Sequence, residues 1–259
     1  MSGQVLREEV DGGILTLWLN RPEKRNALNG ALVEALAGAL NQAEEAEGVR
    51  VILLRGEGPD FCAGADLDEL EKVTEQGDEA SLADARRLGA LLLQMRAHPR
   101  PIVAVVQGRA LAGGCGLATA CDLILAREDA ELGYPEVHLG FVPAMVMAIL
   151  RRKLTEGRAF ELVASGARIK APEAHRLGLV NRVLPSREFE EAVWAYAREL
   201  AARPPSALTL TKSLLYEQAD LSVADGVERG AQVNVEARNT EDCRAGVREF
   251  LARKKPGDP

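Results

Sequence analysis

The sequence predicts an α/β protein: a covered, largely parallel sheet followed by a run of helices. Three observations carry that expectation. Short continuous apolar runs, VRVILLR (49–55), PIVAVV (101–106) and CDLILA (121–126), have the pattern of strands buried on both faces. Segments of helical periodicity stand between them, which is the alternation of an α/β core. From Arg187 onward the chain turns helical and holds almost no strand signal.

The elements follow in order. Val5 to Val10 and Ile14 to Leu19 flank Gly12-Gly13, a hairpin signal. Between Ala27 and Glu47, Leu28, Leu32, Leu36 and Leu40 recur every fourth residue among good helix formers, and Gly48 ends the helix. The strand 49–55 leads into a Gly-rich bend, 56–60. Residues 66–80 (DLDELEKVTEQGDEA) are acidic and weakly periodic, a short helix entering a mobile stretch, and a clearer helix runs from about Ser81 to His98. The strand 101–106 delivers the chain into Gly108–Gly116, and 121–126 is another strand. The terminal helices are expected at 187–202, 205–219, 222–237 and 240–252. Each is preceded or opened by a cap residue or proline: Ser186, Pro204-Pro205, Ser222 with Asp225, and Thr240. Such an appendage suits assembly, and equally suits packing on its own core.

At 259 residues the chain is one large domain or a domain with an appendage, since single cores rarely outgrow about 250–300 residues. With 47% hydrophobic and 27% charged residues it has the composition of a folded globular protein. A net charge of −7 argues against nucleic acid as a partner. No apolar run reaches the roughly 18–20 residues of a membrane span, and the start MSGQVLREEVDGG lacks a signal-peptide pattern, so a cytoplasmic protein is expected. Cys62, Cys115, Cys121 and Cys243 form no C-x-x-C pair, and the histidines are His98, His138 and His175. A zinc site is not expected, and the cysteines read as buried, reduced thiols.

Four segments could carry chemistry. In LAGGCGL (111–117), glycines after a strand and before the helical LATA could aim backbone N–H groups at a developing negative charge. A tight packing device explains the same pair of glycines. Gly108 to Gly113 fits half of a phosphate-binding P-loop, but Gly114-Cys115 stands where Lys and Ser/Thr are required. CAGADL (62–67) is a second small-residue turn, and two such turns can each lend one N–H to a single oxygen, unless this one is a plain turn with an Asp cap. In LGYPEVHLG (132–140), Glu136 sits among apolar residues whose desolvation would raise its pKa toward that of a general base, if it is not simply solvated. Were the segment extended, Tyr134, Glu136 and His138 would share one face. In RPEKRNAL (21–28), three cations in a turn could hold phosphate or form an ordinary charged surface.

In this order, RPEKRNAL, FCAGADL, VQGRALAGGCGLATACDL and LGYPEVHLGFVP resemble the crotonase superfamily, the enoyl-CoA hydratase and isomerase family, and GARIKAPEAHRLGLVNRV (166–183) resembles its stretch before the terminal helices. The resemblance implies a spiral of ββα units over residues 1–197, with a helical oligomerisation region at 198–259 that builds homotrimers or homohexamers. It implies an acyl-CoA thioester substrate, with no cofactor beyond the coenzyme A that the substrate carries. Matched by position, Ala65 and Gly113 would donate the oxyanion N–H groups, commonly worth about 2.7–4 kcal/mol each. Lys24, Arg25 and Ala27, with Ala63, Asp66 and Leu67, would embrace the CoA nucleotide and pantetheine.

The chain departs from the family pattern at one catalytic position. Hydratases of the family carry two glutamates; the later one matches Glu136, but Gly116 stands at the earlier. One carboxylate leaves two mechanisms: water addition to a 2-enoyl-CoA, which single-glutamate members with this Gly pattern favour, or a double-bond shift in a 3-enoyl-CoA. A non-catalytic CoA-thioester-binding protein is a third alternative, against which the retained Glu136 and both turns weigh. Dehydratase, hydrolase or carbon–carbon lyase chemistry could use the same enolate. Residues 68–97 and Phe141–Leu150 are expected to line or flank the acyl-tail pocket, and their apolar content favours a hydrocarbon tail, although core packing explains them too.

Overall fold

The computed structural model describes residues 4–253. Its main sheet has the order β1-β2-β3-β4-β6-β9. These strands are β1 (Leu6–Asp11), β2 (Ile14–Leu19), β3 (Val51–Gly56), β4 (Ile102–Val106), β6 (Leu123–Arg127) and β9 (Arg182–Leu184). The first pair is the antiparallel hairpin and every later pairing is parallel. A second sheet joins β5 (Arg109–Leu111), β7 (Glu131–Gly133) and β8 (Arg168–Lys170).

The continuous apolar runs follow from a sheet buried on both faces. Ile52, Leu54, Ile102, Ala104 and Ile124 point into one core, and Val51, Leu53, Val103, Val105 and Leu125 into another. Helices α1 (Gly30–Glu45), α3 (Asp78–Ala97) and α4 (Gly113–Ala120) cover the first face, through Leu32, Leu36 and Leu40 of α1 and Leu91 and Met95 of α3. Helix α8 (Phe189–Ala201) covers the second, with Phe189, Val193, Ala197 and Ala201 at its buried positions. The remaining helices are α2 (Leu67–Glu75), α5 (Ala144–Lys153), α6 (Glu156–Ser165), α7 (Ala171–Leu177), α9 (Pro205–Glu217), α10 (Val223–Asn239) and α11 (Glu241–Arg253).

Several details correct the sequence-based expectation. The first helix starts at Gly30, because the Asn29 side chain accepts the Leu32 N–H at 3.0 Å and Leu28 is drawn into a bridge with Ala65. The stretch expected to end at residue 80 is one short turn: α2 ends at Glu75 and α3 already starts at Asp78. The strands β5, β7, β8 and β9 have only three residues each, too few to show a period, and went unpredicted. Residues 134–138 are not extended. Pro135–Leu139 is a 3-10 turn in which Tyr134 is fully buried and His138 exposed, so the three side chains share no face. Cys62, Cys115 and Cys121 are buried free thiols, but Cys243 is only half-buried.

Of the terminal helices beyond α8, α9 is tied to the core. Buried Lys212 donates to the Met95 and Arg100 carbonyls at 3.0 and 3.1 Å and pairs with Asp122 at 2.8 Å. Helix α10 has the expected cap, Ser222 Oγ accepting the Asp225 N–H at 3.1 Å, and carries exposed Val223, Val227 and Val235. Residue 198, where the helical region was expected to begin, falls within α8, and the chain ends 1–3 and 254–259 lie outside the described residues. No helix among the described residues is long and apolar enough to cross a membrane.

Candidate active site

The strand β4 hands the chain to Gly108, which has φ +56° and whose Cβ, if present, would lie 2.1 Å from the Pro59 carbonyl oxygen. Only glycine lets the two backbones cross there. Next to this crossing Asp60 accepts the Arg109 N–H at 3.0 Å and the Arg109 guanidinium at 2.8 and 2.7 Å. The Cys62 N–H donates to Arg109 O and the Leu111 N–H to Cys62 O, both at 3.0 Å, so the turn 62–66 is stitched along β5. Its other edge is stitched to residues 25–28: Ala63 N–H to Arg25 O at 3.0 Å, Leu28 N–H to Gly64 O at 2.7 Å and Asp66 N–H to Leu28 O at 2.8 Å.

That lacing leaves particular donors free. In a bridge with Leu28 the Ala65 N–H points away from it, and it has no hydrogen-bond acceptor among the described residues. The Gly113 N–H opens α4, where the first N–H groups have no intrahelical acceptor; the Gly116 N–H, donating to Ala112 O at 2.9 Å, marks where helical bonding begins. The two turns meet. A Cβ built on Gly113 would lie 3.7 Å from Ala65 N, and one on Gly114 would lie 2.2 Å from Cys62 O. Ala112, at φ +50°, ψ −127°, holds the strained junction from which the helix starts.

Both turns open onto a cavity of about 350 Å³. Ala63, Ala65, Leu67, Gly113, Gly116 and Glu136 all contribute to its wall. Leu70 of α2, Leu88 and Leu92 of α3, and the segment from Phe141 to Val146 complete it. Among the described residues Glu136 is the one charged residue in the lining, 8% exposed, and its Oε2 has no hydrogen-bond partner. Burial in this apolar surround raises its carboxyl above the ordinary glutamate value, opposed only by its own backbone N–H. The 3-10 turn that carries it is held from behind. Tyr134 OH and Thr119 Oγ1 are 2.7 Å apart, and the far side packs so closely that a Cβ on Gly166 would lie 2.6 Å from His138 Nε2. His138 therefore faces away from the cavity.

Gly116, at the position matched to the family's earlier glutamate, brings no carboxylate to the cavity, and Val146 packs over it. A Cβ at residue 116 would be 3.4 Å from Val146 Cβ. Nothing in the sequence flags this pairing beyond the apolar character of 141–150, because the two residues meet only through the packing of α4 on α5.

Of the residues matched to CoA binding, Ala63 and Leu67 line the cavity, whereas Lys24, Arg25 and Ala27 lie outside its wall on the adjoining turn. Lys24 is exposed and pairs with Asp68 at 2.7 Å, while Arg25 is exposed in the left-handed region at φ +53°. Asp66 lines a neighbouring hollow, and its carboxylate is taken by Arg21 at 2.7 Å, the pair only 12% and 9% exposed. That guanidinium holds Asp66 below the usual carboxylate range against the opposing effect of burial. Arg21 also donates to the Ala27 carbonyl, so it braces the turn and is no free surface cation. No group of three His, Cys, Asp or Glu that could hold a metal occurs among the described residues.

Comparison with known proteins gives the family. The family model described as enoyl-CoA hydratase/isomerase matches residues 9–257. A Thermus thermophilus protein assigned as an enoyl-CoA hydratase is 42% identical over 245 residues, covering 95% of this chain and 97% of its own. The 2,3-dehydroadipyl-CoA hydratase of Escherichia coli is 35% identical over 244 residues, covering 94% of each chain. The crystal structure of an enoyl-CoA hydratase from Mycobacterium smegmatis superimposes with a TM-score of 0.92 at 31% identity over 98% of both chains. With its two laced turns, its buried glutamate and this likeness along nearly its whole length, the chain belongs to the enoyl-CoA hydratase/isomerase, or crotonase, family.

Proposed function

We propose that the protein hydrates a 2-enoyl-CoA with Glu136 as its sole acid–base group. The observation that carries this is the Glu136 carboxylate itself, buried, with Oε2 unpartnered, in the same cavity as the free Ala65 and Gly113 donors. The thioester carbonyl oxygen sits between those two N–H groups, which stabilise the charge it takes up as an enolate. Glu136 accepts a proton from water as the oxygen of that water bonds to C3. The enolate then collapses, and the same carboxyl returns its proton to C2, giving a 3-hydroxyacyl-CoA. A raised pKa suits a group that must both take and give the proton near neutral pH.

One observation favours a second mechanism. Val146 packed over Gly116 removes the place from which a second carboxylate would hold the attacking water, and a lone carboxylate can carry a proton from C2 to C4 of a 3-enoyl-CoA without any water. Crotonyl-CoA and 3-hexenoyl-CoA, offered separately with products followed by chromatography, separate the two. Hydration of crotonyl-CoA that is lost in Glu136→Gln supports the hydratase, and a double-bond shift in 3-hexenoyl-CoA without water addition replaces it by the isomerase. Binding of both thioesters with turnover of neither would leave a CoA-thioester-binding protein, and activity undiminished in Glu136→Gln would reject the site.

In the same proposal the helices beyond residue 197 build a homotrimer or homohexamer, supported by the exposed valines along α10, and light scattering on the purified protein measures the copy number.

A further inference from the structure

We infer that Met145 is the chain-length gate of this enzyme, a movable partition between the reaction cavity and a second apolar groove that takes the end of a longer acyl tail. The inference rests on the acyl-thioester reading of the cavity given above. Beyond the reaction cavity, between α3 and α5, lies a groove of about 550 Å³ whose walls include Leu82, Ala85, Leu93 and Ile149, with Arg86 as its charged member. The cavity and the groove share two wall residues, Leu92 and Met145.

These two differ in freedom. Leu92 is 4% exposed and belongs to the main core, so it cannot yield without opening that core. Met145 is only half-buried. It lies over the gap left by Gly89, whose Cβ, if present, would be 3.6 Å from Met145 Cγ. An unbranched thioether closing a space next to glycine can change rotamer at small cost, which makes it a yielding wall. On the outer side, Leu82 and Leu93 are 49% and 69% exposed, apolar surface in the groove across Met145 from the cavity. A hydrocarbon chain that displaced Met145 would cover them.

The test is a length series read in two independent ways. Saturated acyl-CoAs from butyryl to palmitoyl, which cannot be hydrated, are titrated by calorimetry, and trans-2-enoyl-CoAs of the same lengths are assayed for kcat/KM. In the wild type both readouts gain with each methylene until the tail meets Met145, and then break. Met145→Ala moves the break to longer chains and raises the preference for dodecanoyl over butyryl tails at least about 10-fold, the lower end of what one methylene is worth in an apolar pocket. Met145→Phe, which closes the gap with a stiffer ring, moves the break to shorter chains. Met145→Leu, close in volume, leaves it in place and reports that the fold tolerates substitution there. A break that stays put in both the Ala and Phe variants, or a change by one common factor at every length, overturns the gate. If the saturated series shifts while no enoyl-CoA is hydrated, the gate stands and the hydratase fails. If crotonyl-CoA is hydrated while the series does not shift, the reverse holds.

Discussion

Replacing Glu136 by glutamine should cut kcat sharply and, at neutral pH and above, make the protein more stable. The carboxylate is 8% exposed, its Oε2 is unpartnered and no cation lines the cavity with it. A buried polar atom without a partner costs roughly 1–3 kcal/mol, more when charged. The amide keeps the shape and still places a polar atom there, so Glu136→Gln should recover only the part of the penalty that the charge adds, with Tm rising roughly 2–4 °C for each kcal/mol recovered in a chain of this size. The pH dependence fixes the cause. Because burial raises the folded-state pKa, the native protein binds more protons than the unfolded chain between the ordinary glutamate value, near 4.5, and the raised one. Wild-type stability therefore falls across that window as pH rises and reaches its full deficit above the raised pKa. The variant escapes this fall. Denaturant melts at pH 5 and pH 8 should show the stability gap opening toward pH 8, while kcat drops by about 10²–10⁴, the usual worth of a positioned acid–base group. A variant less stable than wild type at pH 8, or a gap independent of pH, would refute the claim that Glu136 is held charged and unpaired.

Three further outcomes are expected. Gly113→Ala should fold, since its new Cβ meets only ordinary contacts at 3.4 and 3.7 Å, yet lose about 10²–10³ in kcat by standing beside the Ala65 N–H, whereas Gly114→Ala, with a Cβ 2.2 Å from Cys62 O, should yield little soluble protein; circular dichroism and kcat measure the pair. Asp122→Ala leaves Lys212 buried without its partner and should cost about 3–5 kcal/mol in urea unfolding, while a loss below 1 kcal/mol would mean that α9 is docked by other contacts. A six-carbon tail ending in a carboxylate finds no cation among the described residues of the reaction cavity, Arg86 standing only in the groove beyond Met145, so kcat/KM for 2,3-dehydroadipyl-CoA should fall at least about 100-fold below that for 2-hexenoyl-CoA, because a buried, unpaired charge costs several kcal/mol. Comparable rates on the two thioesters would place the tail elsewhere.

What the sequence determined by itself is what local repetition encodes. Apolar runs such as 101–106 report a strand covered on both faces, a leucine every fourth residue reports α1, and the Ser222–Asp225 spacing reports a helix cap, because each rests on neighbours within a turn or two. The glycine turns and the apolar neighbourhood of Glu136 stood out for a related reason: they are local patterns, and their order along the chain identifies the family. Tertiary structure alone decided how these parts work. The three-residue strands exist because the fold brings partners to them, the longer β6 to β9 and one another to β5, β7 and β8, not because of a periodic signal of their own. Arg21 reads as a surface cation until the fold brings Asp66 to it. Val146 over Gly116 and Met145 beside Gly89 are contacts between helices distant in the chain, set by the way α5 packs on α4 and α3. Desolvation of Glu136 is likewise a property of the whole enclosure, since a carboxylate is stripped of water only when walls from several separate elements close around it.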